Sequence, residues 1–243
     1  MNLKKRLLVW GILPMLAAVG STLVYSIDYE SNIIVATDFS SSYYVEKRFP
    51  NIEKSFNTLR KSITSRASGP EKPVLFQVIP IDELSQAKGT ICDYTLHQKQ
   101  LMGGGSRACD GENNCSISTK DFKTFIHDIC VKSVLKRGQA TSTDIEGALS
   151  LAGQLSSAQR AASTYLFIFS DMAEFRDATV LTTPPNLEGV KVIVVCGGVV
   201  NSDGFCMSQA GAWTKKLKNY GASSVDFVIE SSNWQNIAQE AYQ

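Results

Sequence analysis

The chain has 243 residues, 44% of them hydrophobic and 19% charged, enough for one globular domain of ordinary size with a short appendage and too few for two large domains. Lys and Arg number 24 against 23 Asp and Glu, a formal net charge of +1, so neither bulk phosphate binding nor an acidic disordered tail is expected, and no nucleic-acid partner. Two histidines, His97 and His127, offer little material for a His-rich metal site or a Ser/His/Asp triad.

At the N-terminus Lys4, Lys5 and Arg6 precede a stretch from Leu7 to Ile27 that carries no charge. At roughly 1.5 Å per helical residue it reaches across a bilayer core of about 30 Å, although Pro14 and Gly20 make it an imperfect helix. The basic flank on one side and Asp28 and Glu30 on the other keep the N-terminus cytoplasmic and export the rest. Residues 1–27 are therefore expected to be a membrane anchor. A signal peptide cleaved near Ala18-Val19-Gly20 is the competing reading and would leave the domain secreted.

From Asn32 onward short apolar runs alternate with stretches of helical period, the pattern of an α/β fold with a mostly parallel sheet. The expected strands are Asn32 to Thr37, Pro73 to Ile81, Thr164 to Phe169, Val190 to Cys196 and Val225 to Ile229. Their unbroken Val, Ile, Leu and Phe content requires both faces to be covered by helices. Phe122, Phe125, Ile126, Ile129, Cys130 and Val134 form one helical stripe, and Ile145, Ala148, Leu149, Ala152 and Leu155 another. Further helices are expected at Asn51 to Ser65, Ser208 to Tyr220 and Asn233 to Tyr242. Gln86 to Ser118, with three consecutive glycines and three cysteines, reads as a loop insertion. Its glycines are not followed by Gly-Lys-Ser/Thr, so they are no phosphate cradle.

Six cysteines in an exported chain make disulfides plausible. Cys196 with Cys206 is the expected pair, and some pairing is expected among Cys92, Cys109, Cys115 and Cys130. Small buried apolar cysteines at 130 and 196 are the alternative.

In open sheets of this kind ligands bind beyond the carboxyl ends of the strands. Two carboxylates stand there, Asp38 after the first strand and Asp171 after the third. Asp38, Ser40 and Ser42 alternate, and residues two apart in an extended segment project to one side. Two carboxylates in a partly dry crevice repel each other, so one takes up a proton unless a cation lies between them. Carboxylate, alcohol and water oxygens suit Mg²⁺, with Mn²⁺ or Ca²⁺ as substitutes, better than Zn²⁺ or Cu²⁺.

Asp38-x-Ser40-x-Ser42 after the first buried strand resembles the first motif of the metal-ion-dependent adhesion site of the von Willebrand factor A family. Thr143-Asp144-Ile145-Glu146-Gly147-Ala148-Leu149 is similar to that family's threonine motif, and Phe167-Ile168-Phe169-Ser170-Asp171 to its last motif. The resemblance covers roughly Asn32 to the C-terminus and implies a Rossmann-like A domain over residues 28–243. It implies that Ser40, Ser42 and Thr143 ligate the metal directly while Asp38 and Asp171 act through waters. It also implies a coordination position left for an acidic residue of a partner protein. Met172 departs from the pattern, standing where the family usually has Gly, and so does the insertion at about 86–118.

The implied function is a membrane-tethered, exported binding module rather than an enzyme, placed in a bacterial envelope with its domain in the periplasm. A Mg²⁺-dependent phosphohydrolase is the first alternative. It would use Asp38 as nucleophile, but Ser40 stands where a general acid two residues later is needed, and a hydroxyl cannot supply a proton near neutral pH. A metal-free structural subunit of an envelope assembly is the other. Glu174 and Asp177 read as a solvated face, and Thr143 alone would read as a helix cap.

Overall fold

The computed structural model describes residues 28–43, 56–59, 73–96, 109–110, 114–115, 124–137, 139–174, 183–197 and 202–230. The anchor expected over 1–27, most of the helix expected at 51–65, the helix at 233–242, His97 and Asp177 lie outside them. No helix among the described residues is long and apolar enough to cross a membrane.

Six strands form one sheet in the order β3-β2-β1-β6-β7-β8. They are β1 (Asp28–Asp38), β2 (Val74–Ile81), β3 (Cys92–Leu96), β6 (Arg160–Ser170), β7 (Lys191–Cys196) and β8 (Ser224–Ile229), with a separate two-stranded pair β4 (Cys109–Asp110) and β5 (Asn114–Cys115). All neighbours in the large sheet are parallel except β2 and β3. Every strand expected from its apolar run is present. β1 and β6 run longer than expected because their ladder continues through Asp28↔Arg160 into polar residues at the sheet's lower end. There backbone pairing needs no apolar side chain, and β6 is buried only from Tyr165 onward.

Alternate residues of the strands feed two cores. Ile33, Val35, Phe76, Phe167 and Phe169 pack with the helical residues Phe56 and Leu59 and with Ile126, Cys130 and Val134 on one face. Ile34, Ala36, Leu166, Ile168 and Val194 pack on the other face. There they meet two helices whose sequence predecessors are α1 (Ser85–Lys88) and α2 (Lys132–Leu135), namely α3 (Ile145–Ala158) and α4 (Ser202–Asn219). The two-sided cover is what unbroken apolar strands demand.

Four expectations need correction. The stretch over Gln86 to Ser118 is not all loop, since Cys92 to Leu96 forms the antiparallel edge strand β3. Cys92 and Tyr94 are buried while Asp93 is exposed, the alternation of a strand with one face on the core. Leu96 pairs with Val74, so the chain leaves β3 at the end of the sheet opposite Asp38. The helical stripe at 122–134 is α-helical only in part, because Ile126–Val131 is a π-helical turn leading into α2. Its wider pitch lets Ile126, Cys130 and Val131 all face the sheet and turns Ile129 out to 50% exposure. The helix expected from Ser208 begins at Ser202. Cys130 and Cys196 are not lone buried thiols: disulfides join Cys92 to Cys130 and, as expected, Cys196 to Cys206.

Candidate metal centre

Numbered by position in the large sheet, the strand order reverses at β1, whose neighbours β2 and β6 lead away in opposite directions. The crevice beyond the carboxyl ends of β1 and β6 is therefore the switch point where such sheets hold ligands. Asp38 ends β1 and Asp171 follows the last residue of β6, so the topology places both carboxylates at that crevice.

Asp38 is fully buried. Its Oδ1 accepts the Ser40 amide at 2.8 Å, which turns the chain out of the strand, and its Oδ2 accepts the Ser170 hydroxyl at 2.6 Å. Among the described residues no Lys or Arg pairs with Asp38 or Asp171. Burial raises the Asp38 carboxyl to about 7 despite the bonds from Ser170 and Ser40, and the nearby Asp171 adds to the rise. Asp171, also buried, accepts the Ala173 amide at 3.0 Å.

The turn after Asp38 sets Ser40 Oγ and Ser42 Oγ 3.1 Å apart, with Ser40 buried and Ser42 half-buried. The two hydroxyls converge as their alternate positions require. The loop that leads to Thr143 passes beside the turn after Asp38. Residue 140 forms a parallel bridge with Ser40, and its amide donates to the Phe39 carbonyl at 2.7 Å. Four residues on, the Asp144 amide donates to the Asp82 carbonyl, just past the end of β2. The loop carrying buried Thr143 thus runs beside the segment carrying Ser40 and Ser42. Thr143 is not the cap of α3: Asp144 is, its Oδ1 accepting the Gly147 amide at 2.8 Å. A Cβ at Gly147 would stand 2.0 Å from the other carboxylate oxygen, so glycine makes room for this cap.

The donor set fits a hard divalent cation. Octahedral Mg²⁺ with bonds of about 2.0–2.1 Å places adjacent ligand oxygens about 3 Å apart, and the Ser40–Ser42 hydroxyl spacing is 3.1 Å. The buried Asp38 carboxyl has hydrogen-bond donors but, among the described residues, no counter-ion. Among the described residues no group of three or more His, Cys, Asp and Glu side chains is placed to hold a metal ion.

One contributor, Ser170, is read from the sequence only as part of the last motif. Ser170 holds Asp38 through its hydroxyl hydrogen and accepts the Met172 amide at 2.9 Å, linking the two acidic strand ends. Only its place opposite Asp38, one register step beyond Thr37↔Phe169, gives it that role. Met172 has φ 59°, the left-handed region that favours glycine and costs other residues about 1–2 kcal/mol. Glu174, expected on a solvated face, is instead half-buried, accepting the Glu146 amide at 3.3 Å and pairing with Lys216 at 3.5 Å. Tyr43 is buried, and His127 is on the surface beside Asp128.

Beside the crevice lies a cleft of about 80 Å³ between the turn after β2 and residues 137–140. Its charges are already matched: Lys88 and Arg137 approach Asp82 at 2.9 and 3.7 Å. Glu83 accepts the Thr141 amide at 2.9 Å, which with other bonds holds its carboxyl down at about 2.

No protein-family model matches the chain, and no curated protein sequence does. Among solved structures it is similar to the PilB minor pilin from Streptococcus sanguinis, with 11% identity and a TM-score of 0.48 over 89% of this chain and 60% of that one. It is similar to a von Willebrand factor type A protein from Catenulispora acidiphila, at 10% identity and TM-score 0.45 over 88% and 41% of the two chains. A third is the fragment with three N-terminal domains of a type V pili tip protein from Porphyromonas gingivalis, at 13% identity and TM-score 0.37 over 65% and 22%. The chain thus spans less than two thirds of each. At this level they are likenesses of overall outline, which by themselves say nothing of what this chain binds.

Proposed function

We propose that this chain is an exported binding module of the von Willebrand factor A type. In this reading a divalent cation, Mg²⁺ first, sits at the β1/β6 crevice and receives an acidic side chain of a partner protein. Ser40, Ser42 and Thr143 would hold the ion directly, and Asp38 and Asp171 would act through waters. The cation's chemistry is that of a Lewis acid that attracts and orients a carboxylate. The observation that carries the reading is the fully buried Asp38, without a counter-ion among the described residues, beside a second carboxylate and a hydroxyl pair at ligand spacing. Ser42 is half-buried and Ser41 exposed.

Against the phosphohydrolase stands Ser40, in the place where a general acid two residues after a nucleophilic Asp38 is needed. Tethering through residues 1–27 and placement in a bacterial envelope complete the proposal. The two disulfides support an oxidising compartment outside the cytoplasm.

The test is a Mg²⁺ titration of the full chain in detergent by calorimetry. One saturable site is expected, lost in Asp38→Ala and in the double variant Ser40→Ala/Ser42→Ala. Binding unaffected by either change would refute the site, and retention of an envelope partner regardless of EDTA would refute the bridging ion.

A further inference from the structure

The segment that carries Asp171 is tied down from outside the motif. Met172 takes a left-handed conformation, and such a turn persists in a non-glycine residue only when its surroundings over-determine it. Its amide donates to Ser170 Oγ at 2.9 Å, and its carbonyl accepts the indole N–H of Trp213, in α4, at 3.2 Å. Trp213 is buried in the same core as the Met172 side chain. Over its ring, 4.4 Å from the centroid, lies the Lys216 ammonium. That ammonium pairs with Glu146 in the first turn of α3 and with Glu174, three residues past Asp171. Tyr220 adds a bond to Glu146 at 2.9 Å. The helix α4, with Tyr220 just past its end, therefore grips the Asp171 segment at Met172 and Glu174 and the start of the helix that follows Thr143 at Glu146.

We propose that Trp213 is a positioning residue for Asp171, its indole N–H on the Met172 carbonyl fixing the left-handed turn that aims the carboxylate into the crevice. The proposal rests on the metal reading given above. It assigns α4, which holds none of the five expected ligands, the support of the ligand set. Such outer partners typically change metal affinity by about 10- to 100-fold when lost. The bond matters because residue 172 is not glycine: glycine would adopt the turn without help.

The test is a double-variant cycle on the full chain in detergent, with Mn²⁺ affinity read by electron paramagnetic resonance. Trp213→Phe keeps the ring and removes the donor, and weakens Mn²⁺ binding by about tenfold or more. In the Met172→Gly background the same change weakens it by less than about threefold, because the turn no longer needs the bond. Equal losses in the two backgrounds would reduce Trp213 to packing and overturn the proposal. A second readout needs no variant. In ¹⁵N-labelled wild type without metal, the Trp213 indole N–H exchanges slowly with solvent, and its resonance shifts on Mg²⁺ addition with the saturation of the metal site. An indole that exchanges fast, or stays unshifted at saturation, would refute the coupling even if Trp213→Phe does not fold. Failure of wild type to bind Mn²⁺ at all would instead sink the metal reading, and slow exchange of the indole would still report the grip on the turn.

Discussion

Replacing Asp38 by Asn removes one charge from a fully buried site while keeping the shape of the side chain. Asn Oδ1 can still accept the Ser40 amide, and its NH₂ can donate to Ser170 Oγ, which reverses one bond and leaves the serine hydrogen without its acceptor. In the metal-free fold the Asp38 carboxyl sits at about 7 against an ordinary 3.8. A carboxyl raised on folding favours the protonated native state. Its stabilisation is whole below the ordinary value and is lost as pH climbs through the raised one. About 3 pH units at roughly 1.4 kcal/mol each make a loss of about 4 kcal/mol between pH 4 and pH 7.5. Glu83 works in the opposite sense and elsewhere: held down at about 2, it contributes above pH 4.5 and loses that contribution only in more acid solution. Urea unfolding in EDTA across pH 4 to 8 should show wild-type stability falling with pH. Asp38→Asn should be nearly flat and more stable at pH 7.5 by about 3 kcal/mol, after about 1 kcal/mol for the reversed Ser170 bond. Saturating Mg²⁺ at pH 7.5 should restore wild type and leave the variant unchanged. A wild-type curve that is flat in EDTA, or a variant less stable at pH 7.5, would refute the reasoning.

Further predictions concern the frame around the site. Gly147→Ala pushes a methyl into the Asp144 cap and should cost about 1–2 kcal/mol in urea melts, an amount in the range of a lost cap. Paired Cys→Ser changes at Cys92 and Cys130, which close a separation of 38 residues, should cost about 4 kcal/mol, against about 3 kcal/mol for Cys196 and Cys206 with a separation of 10. Equal or inverted losses in calorimetric scans would contradict the chain-entropy argument. Ile129→Ser should change stability by no more than about 0.5 kcal/mol, whereas Ile126→Ala should cost about 2–5 kcal/mol. A large loss at Ile129 would mean that the helix keeps its α period there.

The five parallel strands are legible in the sequence because strands buried on both faces can hold almost nothing but apolar residues. β3 is less so, since its alternation of Cys92, Asp93 and Tyr94 spans only five residues amid glycines and polar loops. The π-helical turn is invisible to a test for period 3.6, and it moved Ile129 from the expected core to solvent. At the site, the order of Asp38, Ser40, Ser42, Thr143 and Asp171 is readable because each follows a strand or precedes a helix. The parts that hold them are not. Ser170, Asp144, Trp213 and Lys216 act through partners from 3 to 132 positions away, which local spacing cannot announce. Met172 marks the place where a local rule is broken, and the contacts on both its backbone groups are the physical reason it can be.

The account turns on whether a divalent ion occupies the crevice where β1 and β6 end. Anomalous scattering from crystals of the protein grown with Mn²⁺ would locate it directly. The account predicts one strong peak within about 2.2 Å of the hydroxyl oxygens of Ser40 and Ser42, with Asp38 and Asp171 behind bridging waters. A crevice without a peak at saturating Mn²⁺, or a peak bound only elsewhere on the molecule, would contradict it.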